Sequence, residues 1–304
     1  MGFYDQMVKK YPSLKTGPEV TIIAPAIRTA WWLELYEAFQ NTNDTKLEFI
    51  FIGHIDPDYT LPDNFKHVHC TKSPAYCAAL GFAMVETEYV MNIADDYDPR
   101  PEHMSKNIVD KCLEEHRRVE KLGVEHFFVG PSFKMGPEKE WSKAIPLLYT
   151  NEDHCSPVLT ISPLTKISTQ RLIGGPDQIF YGMYWDTDVN MRLYEINGQS
   201  KVMGLEFDHE NKTWAENPNS EEYIFVTERN HPQCVEMSKS LGMSVLSRSK
   251  KGGNDSKNFR NLWNPITKKG ITLEDNRHYF EPGEFNPRKR PPSFFNLEEI
   301  PSKK

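Results

Sequence analysis

Several things are scarce in this chain, and each scarcity removes a class of protein. There are only five cysteines, Cys70, Cys77, Cys112, Cys155 and Cys234, scattered and with no Cys-x-x-Cys pair. That argues against a disulfide framework and a structural zinc, and for reduced thiols in a cytosol-like compartment. No apolar run approaches the roughly 18–20 residues that span a bilayer. The opening Met1-Gly2-Phe3-Tyr4-Asp5-Gln6 lacks the basic-then-apolar layout of a secretion signal. The expectation is a cytoplasmic protein with no membrane span. No internal repeat or low-complexity block is present, so solenoid architectures are set aside.

Charge of one sign is unevenly supplied. The net charge is −7, yet residues 247–304 hold 13 Lys/Arg against 7 Asp/Glu. The stretches Arg248-Ser249-Lys250-Lys251 and Arg288-Lys289-Arg290 make nucleic acid or an anionic membrane surface admissible as partners, although a solvated basic tail also accounts for them.

What is present is an alternation of strand-like and helix-like segments. Val20–Ala24 is a β-branched run stopped by Pro25. Trp31–Phe39 carries an apolar helical stripe. Leu47–Ile52 reads as a second strand ending at Gly53, and Lys66–His69 as a short third. Pro74–Glu86 reads as a helix, Tyr89–Ala94 as a strand, Met104–Leu122 as a long amphipathic helix and Glu125–Val129 as a strand. This spacing predicts an α/β fold with a mainly parallel central sheet and helices on both faces. Residues 131–157 look like a loop excursion. Further on, Val158–Ile161 is strand-like, Thr165–Leu172 and Asp188–Glu195 are helical, and Lys201–Phe207 is a strand. A helix is also expected over Pro232–Leu241. The domain division expected is an N-terminal extension over 1–18, the main α/β domain over 19–215, and a helical or irregular extension with the basic tail over 216–304.

The most telling stretch is Tyr89-Val90-Met91-Asn92-Ile93-Ala94-Asp95-Asp96-Tyr97-Asp98-Pro99. A buried strand empties into three carboxylates within four positions. Crowded carboxylates repel unless something positive sits among them, and a hard divalent cation is one solution. Open α/β sheets bind ligands beyond the carboxyl ends of their strands, so the pattern suggests a metal site serving a phosphorylated substrate. A solvated acidic turn would read the same way. A second segment, Gly174-Gly175-Pro176-Asp177 followed by Trp185-Asp186-Thr187-Asp188 and Arg192, pairs glycines that permit unusual backbone angles with aspartates suited to a helix start.

Together these segments resemble the family 2-type glycosyltransferases of the GT-A fold, over about Glu19 to Trp214. Ile22-Ile23-Ala24-Pro25-Ala26-Ile27-Arg28 looks like that family's opening strand and its Pro-x-x-x-Arg turn. Asp96-Tyr97-Asp98 looks like its Asp-x-Asp metal motif, and the Gly174–Arg192 segment like its Gly-Gly-Phe-Asp and Glu-Asp-x-Asp-x-x-x-Arg stretch. Phe207-Asp208-His209 resembles the late strand whose histidine joins the metal shell. Two places depart from the pattern. The acidic residue usually found at the end of the second strand is replaced by Gly53-His54-Ile55-Asp56, and the arginine of the next helix is absent from Ser73–Gly81.

The resemblance implies metal-dependent, inverting transfer of a sugar from a nucleotide-diphosphate sugar to an acceptor hydroxyl on a glycan, a lipid-linked sugar or a nucleic acid. It assigns Mn²⁺ or Mg²⁺ to Asp98, Asp96 and His209. Asp186 becomes the general base, with Asp188 as the alternative. Pro25, Ala26, Arg28, Asp56, Lys72, Asp95 and Asp96 face the donor, and Trp185, Gly174 and Gly175 the sugar or acceptor. The rival enzymatic reading is a sugar nucleotidyltransferase, from which a glycine-rich basic loop after the first strand is expected; Ala24–Thr29 has no glycine. A non-catalytic nucleotide or sugar binder is the rival outside catalysis.

Overall fold

Branched and aromatic residues concentrate in four short runs of the first hundred residues, and these form the spine of the molecule. The computed structural model describes residues 17–100, 104–135, 142–143, 160, 162–182, 184–196, 198–203, 205–208, 213–216, 224–226, 255 and 257–258. Strands β1 (Val20–Pro25), β2 (Leu47–Gly53), β3 (Phe65–His69), β4 (Tyr89–Asn92), β5 (Phe127–Gly130), β8 (Leu164–Lys166) and β9 (Gln199–Val202) make a seven-stranded sheet in the order β3-β2-β1-β4-β8-β5-β9. All pairs are parallel except those of β8, which runs against both β4 and β5. The expected mainly parallel α/β sheet is therefore what the chain forms.

Period-2 alternation sorts the strand side chains between two helical layers. Val20, Ile22, Ala24, Phe49 and Phe51 face α1 (Thr29–Thr42) and α3 (Ile108–Lys121), packing on Trp32, Leu35, Phe39, Val109 and Leu113. Ile23, Ile50, Ile52 and Val90 face the other way, onto α2 (Pro74–Met84), where Cys77, Leu80 and Phe82 receive them. Phe128 of β5 faces this same side and packs with Ile173 of α4 (Ile167–Ile173) and Val189 and Leu193 of α5 (Trp185–Glu195). The first layer is unusually aromatic. Trp32 meets Phe51 edge-on at 5.5 Å between centroids, and Tyr36 stacks on Phe65 at 5.7 Å.

Part of the expected 131–157 loop is instead strand. β6 (Ser132–Met135) pairs with β7 (Ser142–Lys143) and with β12 (Ile224–Val226) in a three-stranded sheet. The strand expected over 201–207 is two strands, since β9 ends at Val202 and β10 (Leu205–Asp208) pairs antiparallel with β11 (Thr213–Glu216). The helix expected over 232–241 and most of the basic tail lie outside the described residues. No helix among the described residues is long and apolar enough to cross a membrane.

Candidate functional site

Chain order turns around at β1. The chain steps outward from β1 through β2 to β3, then returns to place β4 on the other side of β1. Such a switch point opens a crevice beyond the carboxyl ends of the two central strands, where ligands of open α/β sheets bind. Here the crevice floor is built by Asp95, three residues past β4. One oxygen of its carboxylate accepts from the backbone N–H groups of Ile27 and Arg28, each at 2.6 Å. The other accepts from the Arg28 guanidinium at 2.5 Å. Arg28 also lies 3.8 Å from Asp96. Both members of the Asp95–Arg28 pair are buried, at 2% and 6% exposure, so Asp95 ties the β1–α1 turn to the end of β4.

Pro25 and Ala26 lie directly on this floor. The Ala26 N–H continues the pairing with β2 by donating to the Ile52 carbonyl at 2.8 Å. Gly53 then passes so close that an added Cβ would sit 1.6 Å from the Ala26 oxygen. No other residue type fits between the two strand ends without moving backbone.

Asp98 is buried like Asp95, but its partner is Arg100. Asp98 Oδ1 accepts from the Arg100 backbone N–H at 3.0 Å and from Nε at 2.9 Å; Oδ2 accepts from Nε at 3.0 Å and from Nη2. A divalent cation of the Mn²⁺ or Mg²⁺ kind asks for about six oxygen or nitrogen ligands. Among the described residues no group of three or more His, Cys, Asp or Glu side chains could hold a metal ion, and both Asp98 oxygens are committed to the guanidinium. The described residues therefore do not fit a resident cation: Asp98 and Asp96, expected as its ligands, lie against Arg100 and Arg28. His209, the third expected ligand, lies outside the described residues.

Between these two aspartates Tyr97 points inward, 1% exposed, and its hydroxyl meets the Ser162 hydroxyl. Burial, together with the Asp96 and Asp186 carboxylates, raises its pKa well above the ordinary value, against the pull of the Ser162 bond. The two acidic segments, about ninety residues apart in sequence, thus both lie within electrostatic reach of one phenol. A second tie is Asn190 of α5, whose amide oxygen accepts from the Thr160 hydroxyl at 2.9 Å while its Nδ2 donates to the Asp186 carbonyl at 2.9 Å. Asp186 keeps some surface exposure, yet protein crowds its carboxyl. Burial raises its pKa, opposed by the Thr187 N–H at 2.8 Å.

The neighbouring acidic residue has a different task. Asp188 is fully buried and ion-paired to Arg192 at 2.9 Å. Arg192 also donates to the Ile173 carbonyl at 2.5 Å and to the Gly175 carbonyl. Asp188, expected as the alternative base, thereby holds the guanidinium that clasps the glycine turn. Gly174 and Gly175 have φ of 87° and 60°, the left-handed region the paired glycines were expected to supply. Trp185 is half-buried and packs on the cluster of Phe128, Ile173, Val189 and Leu193.

Two expected donor contacts stand at the rim. Asp56 is exposed and meets His69 Nδ1 at 3.0 Å, a bond that lowers its pKa, with His67 nearby at 3.4 Å. Lys72 sits over the Tyr76 ring at 5.9 Å, just before α2. Residues that sequence reasoning did not single out are Tyr59, Tyr97, Arg100, Thr160 and Ser162. Tyr59 reaches from the loop after β2 to the Thr29 carbonyl at the start of α1, and burial pushes its pKa up to about 12. Only Arg100 left a local signal, an arginine two positions after Asp98 across a proline. A recess of about 600 Å³ opens at the opposite, amino end of the sheet, lined by residues such as Glu19, Lys46, Tyr89 and Arg117. Two of its lining charges, Arg117 and Glu19, are paired with each other.

No family model and no curated protein sequence matches the chain. Among solved structures it is similar to the bifunctional IspDF from Campylobacter jejuni, at 12% identity and TM-score 0.38, over 63% of this chain and 50% of that one. The chain thus spans half the length of that protein. A mycobacterial protein gives 11% identity and TM-score 0.41, over 81% of this chain and 78% of that chain. The 2-C-methyl-D-erythritol 4-phosphate cytidylyltransferase from Thermus thermophilus gives 12% and 0.36, over 75% of this chain and 100% of that chain. None of the three is described as a glycosyltransferase. The last of them is described as a cytidylyltransferase. The glycosyltransferase expectation is corrected, since the solved structures to which the chain is similar carry other descriptions.

Proposed function

We propose that the chain is a nucleotide-dependent transferase of the nucleotidyl class, joining a nucleotide to a phosphorylated, sugar-like substrate at the β1–β4 switch point. The observation that carries this reading is the Asp95-welded floor, which sets Arg28, Asp96 and Asp98 around the carboxyl ends of β1 and β4. In the reaction, a phosphate oxygen of the sugar-like substrate attacks the α-phosphorus of a nucleoside triphosphate. The bond from that phosphorus to the bridging oxygen breaks, and pyrophosphate leaves. The attacking oxygen is already anionic, so no side chain has to remove a proton. Catalysis of such a transfer rests on positioning and on positive charge near the phosphates.

The turn after β1 has no glycine-rich loop to wrap the phosphates, and its Ile27 and Arg28 N–H groups are spent on Asp95. The phosphate grip falls instead to the start of α1, a 14-residue helix with no side-chain cap and no acidic residue in its first turn. The dipole of such a helix favours an anion at its start. Asp186 would accept hydrogen bonds from hydroxyls of the sugar-like part, and Tyr59 would wall the nucleoside side.

The test is thermal stabilisation by CTP, UTP, ATP and GTP in turn, followed by pyrophosphate release from the binding nucleotide with a panel of sugar phosphates. The proposal expects one nucleotide to stabilise the protein and one sugar phosphate to release pyrophosphate. Stabilisation without release from any sugar phosphate would favour the non-catalytic binder. No stabilisation by any nucleotide would overturn both.

A further inference from the structure

The misfit between the acidic segment and a divalent cation has a constructive side. Asp98 is 2% exposed, and all four hydrogen bonds it receives from Arg100 come through one residue's backbone N–H, Nε and Nη2. Charge-assisted bonds of this forked kind are among the stronger and more directional contacts in proteins. Pro99 between the two residues fixes one backbone angle, so the pair is held at short range. The Arg100 side chain is nevertheless 48% exposed, which leaves it within reach of a ligand. A few residues earlier, Asp95 anchors Arg28 in the same manner. The carboxyl end of β4 thus carries two guanidiniums, each oriented by a buried aspartate.

Resting on the nucleotidyl reading above, we propose that Arg100, anchored by Asp98, supplies at this site the positive charge that a divalent cation would otherwise bring to the nucleotide phosphates. Asp98 is then a positioning residue for Arg100. Guanidinium matches phosphate oxygens with paired N–H donors and keeps its charge at every physiological pH. For a cation to ligate Asp98 through either oxygen, it would have to displace hydrogen bonds from Arg100 and sit beside its guanidinium, a costly exchange at a buried carboxylate. Nucleotide binding is consequently independent of divalent metal.

The experiment has two arms. In the first, Mn²⁺ alone is titrated into nucleotide-free protein and followed by electron paramagnetic resonance. The wild type takes up none at sub-millimolar metal, whereas Arg100→Gln exposes Asp96 and Asp98 and acquires a bound ion. In the second, CTP, UTP, ATP and GTP are titrated by calorimetry in EDTA and again in MgCl₂. Wild-type affinity for the nucleotide that binds changes by less than about threefold between the buffers, a free-energy change under one kilocalorie on the scale where tenfold is 1.4 kcal/mol. Arg100→Gln lowers it at least tenfold in EDTA, and Arg100→Lys restores it only in part, because an ammonium has no fork. Asp98→Asn, checked for unchanged circular dichroism, also weakens binding by releasing Arg100. Mn²⁺ uptake by the nucleotide-free wild type, or nucleotide binding that appears only with Mg²⁺, overturns the inference while leaving the nucleotidyl reading in place. Absence of nucleotide binding in both buffers overturns the two together.

Discussion

The β3-β2-β1-β4 half of the sheet and the β8-β5-β9 half are held together by different means. In the first, β1 and β2 share six paired positions and β2 and β3 five, all parallel, over a continuous aromatic layer. In the second, β8 is three residues long and meets β5 at one position. Side chains do there what ladders do elsewhere: Asn190 to Thr160, Tyr97 to Ser162, Arg192 to the glycine turn. The lesson is that one wall of the switch-point crevice is set by core packing and the other by a few polar bonds. Changes on the two sides should therefore fail differently.

The largest contrast should come from the aromatic layer. Phe49→Ala is expected to cost about 4 kcal/mol in urea unfolding, and more than Leu193→Ala in the small cluster under α5. Equal costs would dissolve the comparison. Arg192→Ala should cost about 3 kcal/mol by removing the cation paired with the fully buried Asp188; it should also loosen the glycine turn, read as faster amide exchange at residues 174–175. Wild-type exchange there would show the clasp to be dispensable. Gly53→Ala should cost about 2–3 kcal/mol, the upper part of the usual overpacking range, because the new methyl meets backbone. A neutral result would mean that β2 and the β1 turn separate easily. Tyr59→Phe removes one bond to the Thr29 carbonyl and should cost about 1 kcal/mol, with weakened binding of whichever nucleotide stabilises the wild type.

The smallest effect at neutral pH belongs to His116, which is buried in the first half. Burial lowers its pKa from 6.5 to about 4. The unfolded chain therefore gains a proton between pH 6.5 and 4 that the folded protein refuses. Stability from this group is complete above pH 6.5 and is lost as the pH falls toward 4. His116→Phe should leave stability at pH 7.5 nearly unchanged and flatten the decline between pH 6.5 and 4; a decline as steep as the wild type's would place its origin elsewhere.

The same division explains what could be read from the amino acids. Val20–Ala24, Leu47–Ile52 and Tyr89–Ala94 announced themselves because buried parallel strands are continuous apolar runs. Their observed bounds differ by one or two residues. β8 left no such trace: Leu164–Lys166 is too short to show a period, and Thr165 onward scans as helix. The crowding of Asp95, Asp96 and Asp98 at a strand end was legible, but their partners were not. Asp95 reaches Arg28 across 67 positions, and no spacing rule predicts that contact. The charge beside these carboxylates was sought in a metal because Arg28 is far off in sequence and Arg100, two positions from Asp98, was passed over. Paired glycines before α5 did predict left-handed backbone, since that requirement is local.

The reversal of β8 has a geometric consequence. Running against its neighbours, this strand carries what precedes it, Ser162, to the ligand end of the sheet, and what ends it, Lys166, to the far end beside Glu88 and Glu120. Three residues therefore act as a ruler of about 10 Å spanning the sheet from one rim to the other. Removing a single residue from it would pull Ser162 off the Tyr97 hydroxyl and turn Thr165 to the opposite layer in the same stroke.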